Sequence, residues 1–375
     1  MISPDCDFIV VGAGIAGASA AYELAGRGRV VVLEREGQPG YHTTGRSAAM
    51  FLENYGEPVV RRLASASRAF LTEPPPGFSE HPILAPRGIL WIARVDQRTA
   101  LDEALDAAQG TVEALDPARA RALVPALRPD YVAAAIFEPD ARDIDVHALH
   151  HGYLNGLKRH GGRLVADAGV TGLERKGGAW RVTTAAGEFT APVVVNAAGA
   201  WADELARLAG VAPVGLVPMR RTALTFDPPD GVDVSRWPLT VDVDEEFYFK
   251  PEAGRVLASP ADETPMPPCD VQPDEIDVAV AIDRIQRATT FEVRRLTHRW
   301  AGLRSFVDDH VPVVGYDRGA EGFFWLAGQG GVGIMTSPAM ARLAAALVMG
   351  EDPPADMRER DIDAAALSPE RLRGA

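Results

Sequence analysis

The chain has 375 residues, enough for about two domains of ordinary size. Hydrophobic residues make up 47% and charged residues 24%, a balance that buries a sizeable core, and the net charge of -14 argues against nucleic-acid binding through a general basic surface. With Cys6 and Cys269 as the only cysteines, a disulfide framework and any Cys-rich metal or iron–sulfur site are excluded, and a reducing compartment is the simpler expectation.

The opening stretch MISPDCDFIVVGAG has no basic start and no apolar run ending in a cleavage site. No uncharged apolar run of about 18 residues occurs, so a transmembrane segment is not expected and the location reads as cytoplasmic. Phe8 to Val11 is a short apolar run suited to a strand buried on both faces. The glycine turn GAGIAG fills residues 12–17, an Ala-rich helix is expected from Ala18 to Arg27 with Gly28 closing it, and Val30 to Leu33 gives a second buried strand ending at Glu34. This is a βαβ unit.

Pro74 to Gly77 and Ser259 to Pro273 read as surface loops. Asp143 to Gly161 reads as an amphipathic helix with Asp145 as N-cap, followed by strands at Gly162 to Leu173 and Trp180 to Phe189. Pro192 to Gly199 is a further buried strand ending in small residues. Alternation at Thr222 to Phe226 and Glu246 to Lys250 suggests antiparallel strands. Phe323 to Ala327 is a strand, and a second glycine segment leads from it into a helix ending near Val348.

The first turn matches a dinucleotide fingerprint in its proper context. Gly12 permits the tight turn, Gly14 lets backbone approach a pyrophosphate, Gly17 lets the helix pack closely on the strand, and the helix end opened by Ile15 and Ala16 faces the phosphates. Glu34, 22 residues after Gly12, can accept hydrogen bonds from ribose hydroxyls. The fingerprint alone does not separate NAD from FAD. Its place at the start of the chain and the second glycine segment, whose helix N-terminus can stabilise charge on a reduced flavin, favour FAD. His147, His150 and His151 share a helix, but without a carboxylate pair they read as solvated surface, and no metal site is expected.

GAGIAG with Glu34 and Arg35, PGYHTTGRSAA at 39–49, VVVNAAGAWADELARLAG at 193–210, WAGLRSF at 300–306 and AGQGGVGIMTS at 327–337 occur in this order. Together they make the chain resemble the D-amino acid oxidase superfamily of flavoproteins, and within it the FAD-dependent D-arginine dehydrogenase group. The resemblance implies a mixed α/β fold. A Rossmann-like FAD-binding domain would be built from residues 1–85, 143–215 and 300–375, and a smaller antiparallel-sheet substrate domain from 86–142 and 216–299. It implies that Thr44, Gly45, Arg46, Ser47 and Ala48 touch FAD, that Val170 holds the adenine, that Ala198, Gly199 and Trp201 line the nucleotide, and that Gly331 and Gly333 line the flavin. Relatives with covalent flavin use a C-terminal cysteine; Gly328 and Gln329 occupy that neighbourhood here, so FAD is expected to be non-covalent.

On the substrate side the resemblance implies a carboxylate clamp of Arg304 and Arg221, with phenolic contacts from Tyr248 and Tyr55 and amine contacts from the Gly302 and Gly331 carbonyls. Where D-arginine users carry a carboxylate this chain has Ile89, and with Met50, Val332 and Met335 it suggests an apolar pocket; Glu53 and Glu246 are the fallback carboxylates. The implied activity is oxidative deamination of a D-amino acid with an apolar side chain, by hydride transfer to flavin and on to an unidentified acceptor. The alternative is an amine oxidase of the sarcosine or glycine oxidase type that uses oxygen.

Overall fold

The computed structural model describes residues 5–373. Its first unit follows from local chemistry. Strands β1 (Phe8–Val11) and β2 (Val30–Leu33) are buried at every residue and pair in parallel, joined by helix α1 (Ile15–Ala25). The helix begins three residues earlier than its Ala-rich stretch suggests, directly out of the glycine turn, with the Thr44 hydroxyl accepting from the Ile15 N–H at 3.0 Å. Gly26, not Gly28, caps its far end.

Four more strands complete this sheet. Val193–Asn196 lies beside β1 and Phe323–Ala327 beyond it, both parallel; Val313–Tyr316 adds an antiparallel edge, and Arg163–Val165 extends the opposite side past β2. One face packs on α1 and the helices Val146–Arg159 and Gly333–Val348 through residues such as Val10, Leu24, Leu157 and Met340. The other face, with Ile9, Val31 and Trp325, packs on a three-stranded antiparallel meander through Trp180, Val182 and Phe189. Because the chain runs from β1 to β2 on one side and places Val193–Asn196 on the other, a crevice opens at the carboxyl ends of β1 and Val193–Asn196.

The expected strand Gly162 to Leu173 is two strands in two sheets, Arg163–Val165 and Val170–Lys176, separated at Asp167, whose φ of +52° turns the chain. Trp180 to Phe189 is likewise a hairpin of Ala179–Thr184 and Gly187–Ala191.

A nine-stranded sheet covers the crevice. It is antiparallel except where Leu239–Asp242 pairs in parallel with Ile89–Ala93. Its long central pair is Val217–Phe226 with His298–Phe306. Alternation assigns its two faces. Leu90, Ile92, Leu224, Phe226 and Phe249 pack away from the crevice, against the helix Glu275–Ala288. Ile89, Trp91, Arg221, Ala223, Leu239, Val241, Tyr248, Gly302 and Arg304 share the opposite face and look toward the glycine turns.

Candidate active site

Two backbone turns meet at the crevice. Gly12 has φ +101°, and a Cβ there would lie 2.4 Å from the Ala197 carbonyl oxygen, so glycine alone allows this approach. Gly17 packs beneath it, where a Cβ would sit 1.8 Å from the Gly12 oxygen. Glu34 is buried; its Oε2 accepts from the Ala13 N–H at 2.7 Å and its Oε1 from the Glu36 N–H at 3.0 Å.

These turns wall an open cavity of about 590 Å³. Gly12, Gly14, Glu34 and Arg35 line it on one side, and Val170, Ala198, Gly199 and Trp201 on the other. The Arg35 guanidinium lies over the Trp201 ring at 4.6 Å, and His42 packs on that ring at 4.7 Å. Past Gly14, Thr44 and Gly199 the space continues into a second cavity of about 140 Å³, bounded by Ile15, Ala16, Arg46, Ser47, Ala48 and Gly333. Gly17 and Gly45 line neither of these two cavities; the Gly45 N–H donates to the Gly40 oxygen at 2.8 Å and shapes the loop behind them. The Arg46 guanidinium turns away to the covering sheet, bonding the Ala301 and Val271 oxygens and pairing with Asp270 at 2.5 Å.

A third compartment of about 100 Å³ adjoins the second along Ser47, Ala48, Arg221, Tyr248, Arg304 and Gly331. Met50, Ile89, Val332 and Met335 line its apolar part, and Tyr55 its polar part. All of the expected substrate-side residues therefore border one connected space. Arg304 stands opposite Met219 on the neighbouring strand and diagonal to Arg221, so both guanidinium groups emerge on one face.

The two arginines differ. Arg221 is 7% exposed and already held, its Nε donating to the Asp262 oxygen at 2.9 Å and its Nη2 to Glu263 at 2.8 Å. Burial and the neighbouring Arg304 lower its pKa. The Arg304 guanidinium has no hydrogen bond or ion pair among the described residues. Burial opposes its charge, but Tyr55, Tyr248, Glu245 and Glu263 outweigh that and raise its pKa. Its guanidinium lies so close to Gly331 that a Cβ there would meet Cζ at 2.8 Å.

Glu245 is the residue that sequence reasoning missed. It lies in the turn before Tyr248–Glu252 with φ +55°, lines the compartment, and accepts from the Tyr55 hydroxyl at 3.0 Å. Burial raises the Tyr55 pKa, Arg304 opposing and Glu245 adding to it. The fallback carboxylates are engaged elsewhere: Glu53 pairs with Arg68, and Glu246 with Arg94. His150 is a second correction. It is buried, not solvated surface, and its Nε2 lies 2.8 Å from the Ala13 oxygen. No His, Cys, Asp and Glu cluster suited to a metal ion occurs among the described residues.

The family model for FAD dependent oxidoreductases of the DAO type matches residues 7–347. The chain belongs to that family. It is 23% identical to mitochondrial dimethylglycine dehydrogenase of Rattus norvegicus over 269 residues, covering 66% of this chain and 31% of that protein. It is 25% identical to mitochondrial sarcosine dehydrogenase of Homo sapiens over 381 residues, covering 94% of this chain and 41% of that protein. The chain thus spans well under half the length of these relatives. Its fold is that of glycine oxidase from Geobacillus kaustophilus, with a TM-score of 0.83 at 23% identity over 98% of each chain. These three names are those of glycine-type enzymes, and none is a D-arginine dehydrogenase.

FAD is the cofactor of the DAO family, and the site fits it. The joined cavities are elongated, a buried carboxylate stands at one end, and the Gly14 N–H has no partner among the described residues. Gln329, in the loop bounding the second cavity, also has its amide nitrogen buried without a partner. No helix among the described residues is long and apolar enough to cross a membrane.

Proposed function

We propose that this chain oxidises the C–N bond of a small α-amino acid, with N-methylated glycines of the sarcosine type as the favoured substrates. The observation that carries the reading is Arg304, an unpaired guanidinium where the cofactor cavity meets a small apolar compartment. The names of the sarcosine and dimethylglycine relatives support the substrate class.

FAD, when bound, supplies the acceptor for the hydride, and with it the two electrons, that leaves the substrate carbon. Gly12, Gly14, Glu34, Val170, Ala198, Gly199 and Trp201 would hold its nucleotide half. Thr44, Ser47, Ala48, Gly331 and Gly333 would hold the ring end, with no covalent bond. Residues 1–85, 143–215 and 300–375 form the FAD-holding part, and 86–142 with 216–299 the cover, the strand His298–Phe306 serving both. Arg304 takes the carboxylate through parallel charge-assisted hydrogen bonds, which fixes the α-carbon as well as the charge. Arg221 adds positive field, Tyr248 a phenolic wall, and Glu245 a carboxyl group facing the substrate nitrogen. Met50, Ile89 and Met335 keep water from the reacting carbon. The amine reacts in its neutral form, the ammonium proton having passed to solvent, so that loss of one hydride leaves an iminium ion, which water hydrolyses.

One observation favours a second reading, D-amino acids with apolar side chains: Ile89, Leu239 and Val241 present more apolar wall than an N-methyl group covers. Anaerobic mixing of the FAD-loaded protein with sarcosine, N,N-dimethylglycine, glycine, D-leucine and D-arginine, read by bleaching of the flavin band, separates the two. The first reading expects an N-methylated glycine to bleach the flavin at least about tenfold faster than D-leucine. The reverse order selects the second reading, and no bleaching by any of them overturns both. Reoxidation on admitting air distinguishes oxygen from another acceptor.

A further inference from the structure

The helix Val146–Arg159 carries three histidines, and only His150 is buried among them. Its Nε2 lies 2.8 Å from the Ala13 oxygen, inside the glycine turn. A carbonyl accepts only, so Nε2 carries the proton and donates. The peptide between Ala13 and Gly14 is planar, with C=O and N–H pointing in opposite directions. Pinning the Ala13 oxygen therefore aims the Gly14 N–H, and Gly14 borders both cofactor cavities. The Ala13 N–H is fixed from the other side by Glu34.

The same ring backs a second wall of the site. Gly40 has φ +77°, and a Cβ there would meet His150 Cε1 at 3.0 Å. Gly40 in turn accepts from the Gly45 N–H, in the loop whose Thr44 hydroxyl caps Ile15. One imidazole thus spans the glycine turn and the 40–45 loop. Burial lowers its pKa, with the hydrogen bond to Ala13 opposing and His151 and His147 adding to the fall.

We propose that His150 is a positioning residue for FAD: its Nε2–H locks the Ala13–Gly14 peptide so that the Gly14 N–H is presented to the cofactor's pyrophosphate. The test titrates FAD into apoprotein, follows quenching of flavin fluorescence, and compares wild type, His150→Gln and His150→Asn. A glutamine amide nitrogen can reach the place of Nε2, whereas the shorter asparagine reaches only as far as Nδ1. His150→Asn should raise the FAD Kd on the order of tenfold, and His150→Gln should stay within about threefold of wild type, with apoprotein melting temperatures alike. Unchanged affinity in His150→Asn, or equal weakening in both variants, overturns the proposal. In the unaltered protein, imidazole nitrogen chemical shifts should report the Nε2–H tautomer for His150; an Nδ1–H tautomer overturns it without any variant. Wild-type titration tests FAD binding itself, so failure of that premise is seen separately.

Discussion

At the nucleotide end the cavity walls are largely backbone: glycine turns after β1 and Val193–Asn196, with Glu34 and His150 holding the peptides in place. At the substrate end the walls are side chains brought from five separate stretches, namely Met50, Ile89, Arg221, Glu245 and Arg304. At Gly12 and Gly17 the backbone walls leave no room for a side chain. Side-chain walls can be exchanged one at a time, so under the proposed function one end would keep the cofactor while the other would choose the substrate.

That contrast can be broken most severely at Gly17. Gly17→Val places a branched side chain where even a Cβ would lie 1.8 Å from the Gly12 oxygen, and the expected outcome is protein purified without flavin, read from the ratio of visible to ultraviolet absorbance. Flavin content equal to wild type would show that the turn is not tightly packed.

Arg304→Leu should act at the other end alone. Flavin content stays normal, while losing the charge-assisted contacts costs about 2–5 kcal/mol of transition-state binding, a fall in kcat/KM of roughly 30-fold to several thousandfold. Gly331→Ala sharpens the boundary between the ends. The added methyl would press on the Arg304 guanidinium from 2.8 Å, so KM should rise about tenfold while bound flavin is retained.

Smaller effects follow from burial. Ile89→Val removes one methyl from a fully buried wall, which should lower stability by about 0.5–1.5 kcal/mol and the melting temperature by about 1–5 °C. Burial pushes the Cys6 thiol from 9.0 up to about 11, with Asp5 and Asp7 adding. An unfolded chain releases that proton first, so this contribution to stability is present below pH 9 and lost between pH 9 and 11. At pH 8 a thiol reagent should label the half-buried Cys269 and spare Cys6; rapid labelling of Cys6 would mean that the start of β1 opens away from Thr190 of the meander.

The nucleotide end was legible in sequence because its information is local. A four-residue apolar run, a glycine turn, small helical residues and Glu34 all fall within 27 residues, Phe8 to Glu34. The substrate end was legible only through resemblance, since nothing local says that residues 50, 89 and 304 meet. Glu245 and Glu246 show why. They are adjacent and chemically alike, and only the left-handed turn at Glu245 sends one into the compartment and the other to Arg94. His150 did carry a signal. Leu149, Tyr153 and Leu157 mark the buried face of its helix, and His150 falls on that face at three residues before Tyr153.

The most direct test of the clamp at the junction compares an amino acid with its own amide. Rate constants for anaerobic flavin reduction by sarcosine and by N-methylglycinamide, in wild type and Arg304→Leu, isolate the carboxylate–guanidinium pairing from everything else the two substrates share. Wild type should prefer the acid by about 100-fold or more, and in the variant that preference should collapse to within about threefold. An acid preference that survives in Arg304→Leu would place the carboxylate elsewhere and contradict it.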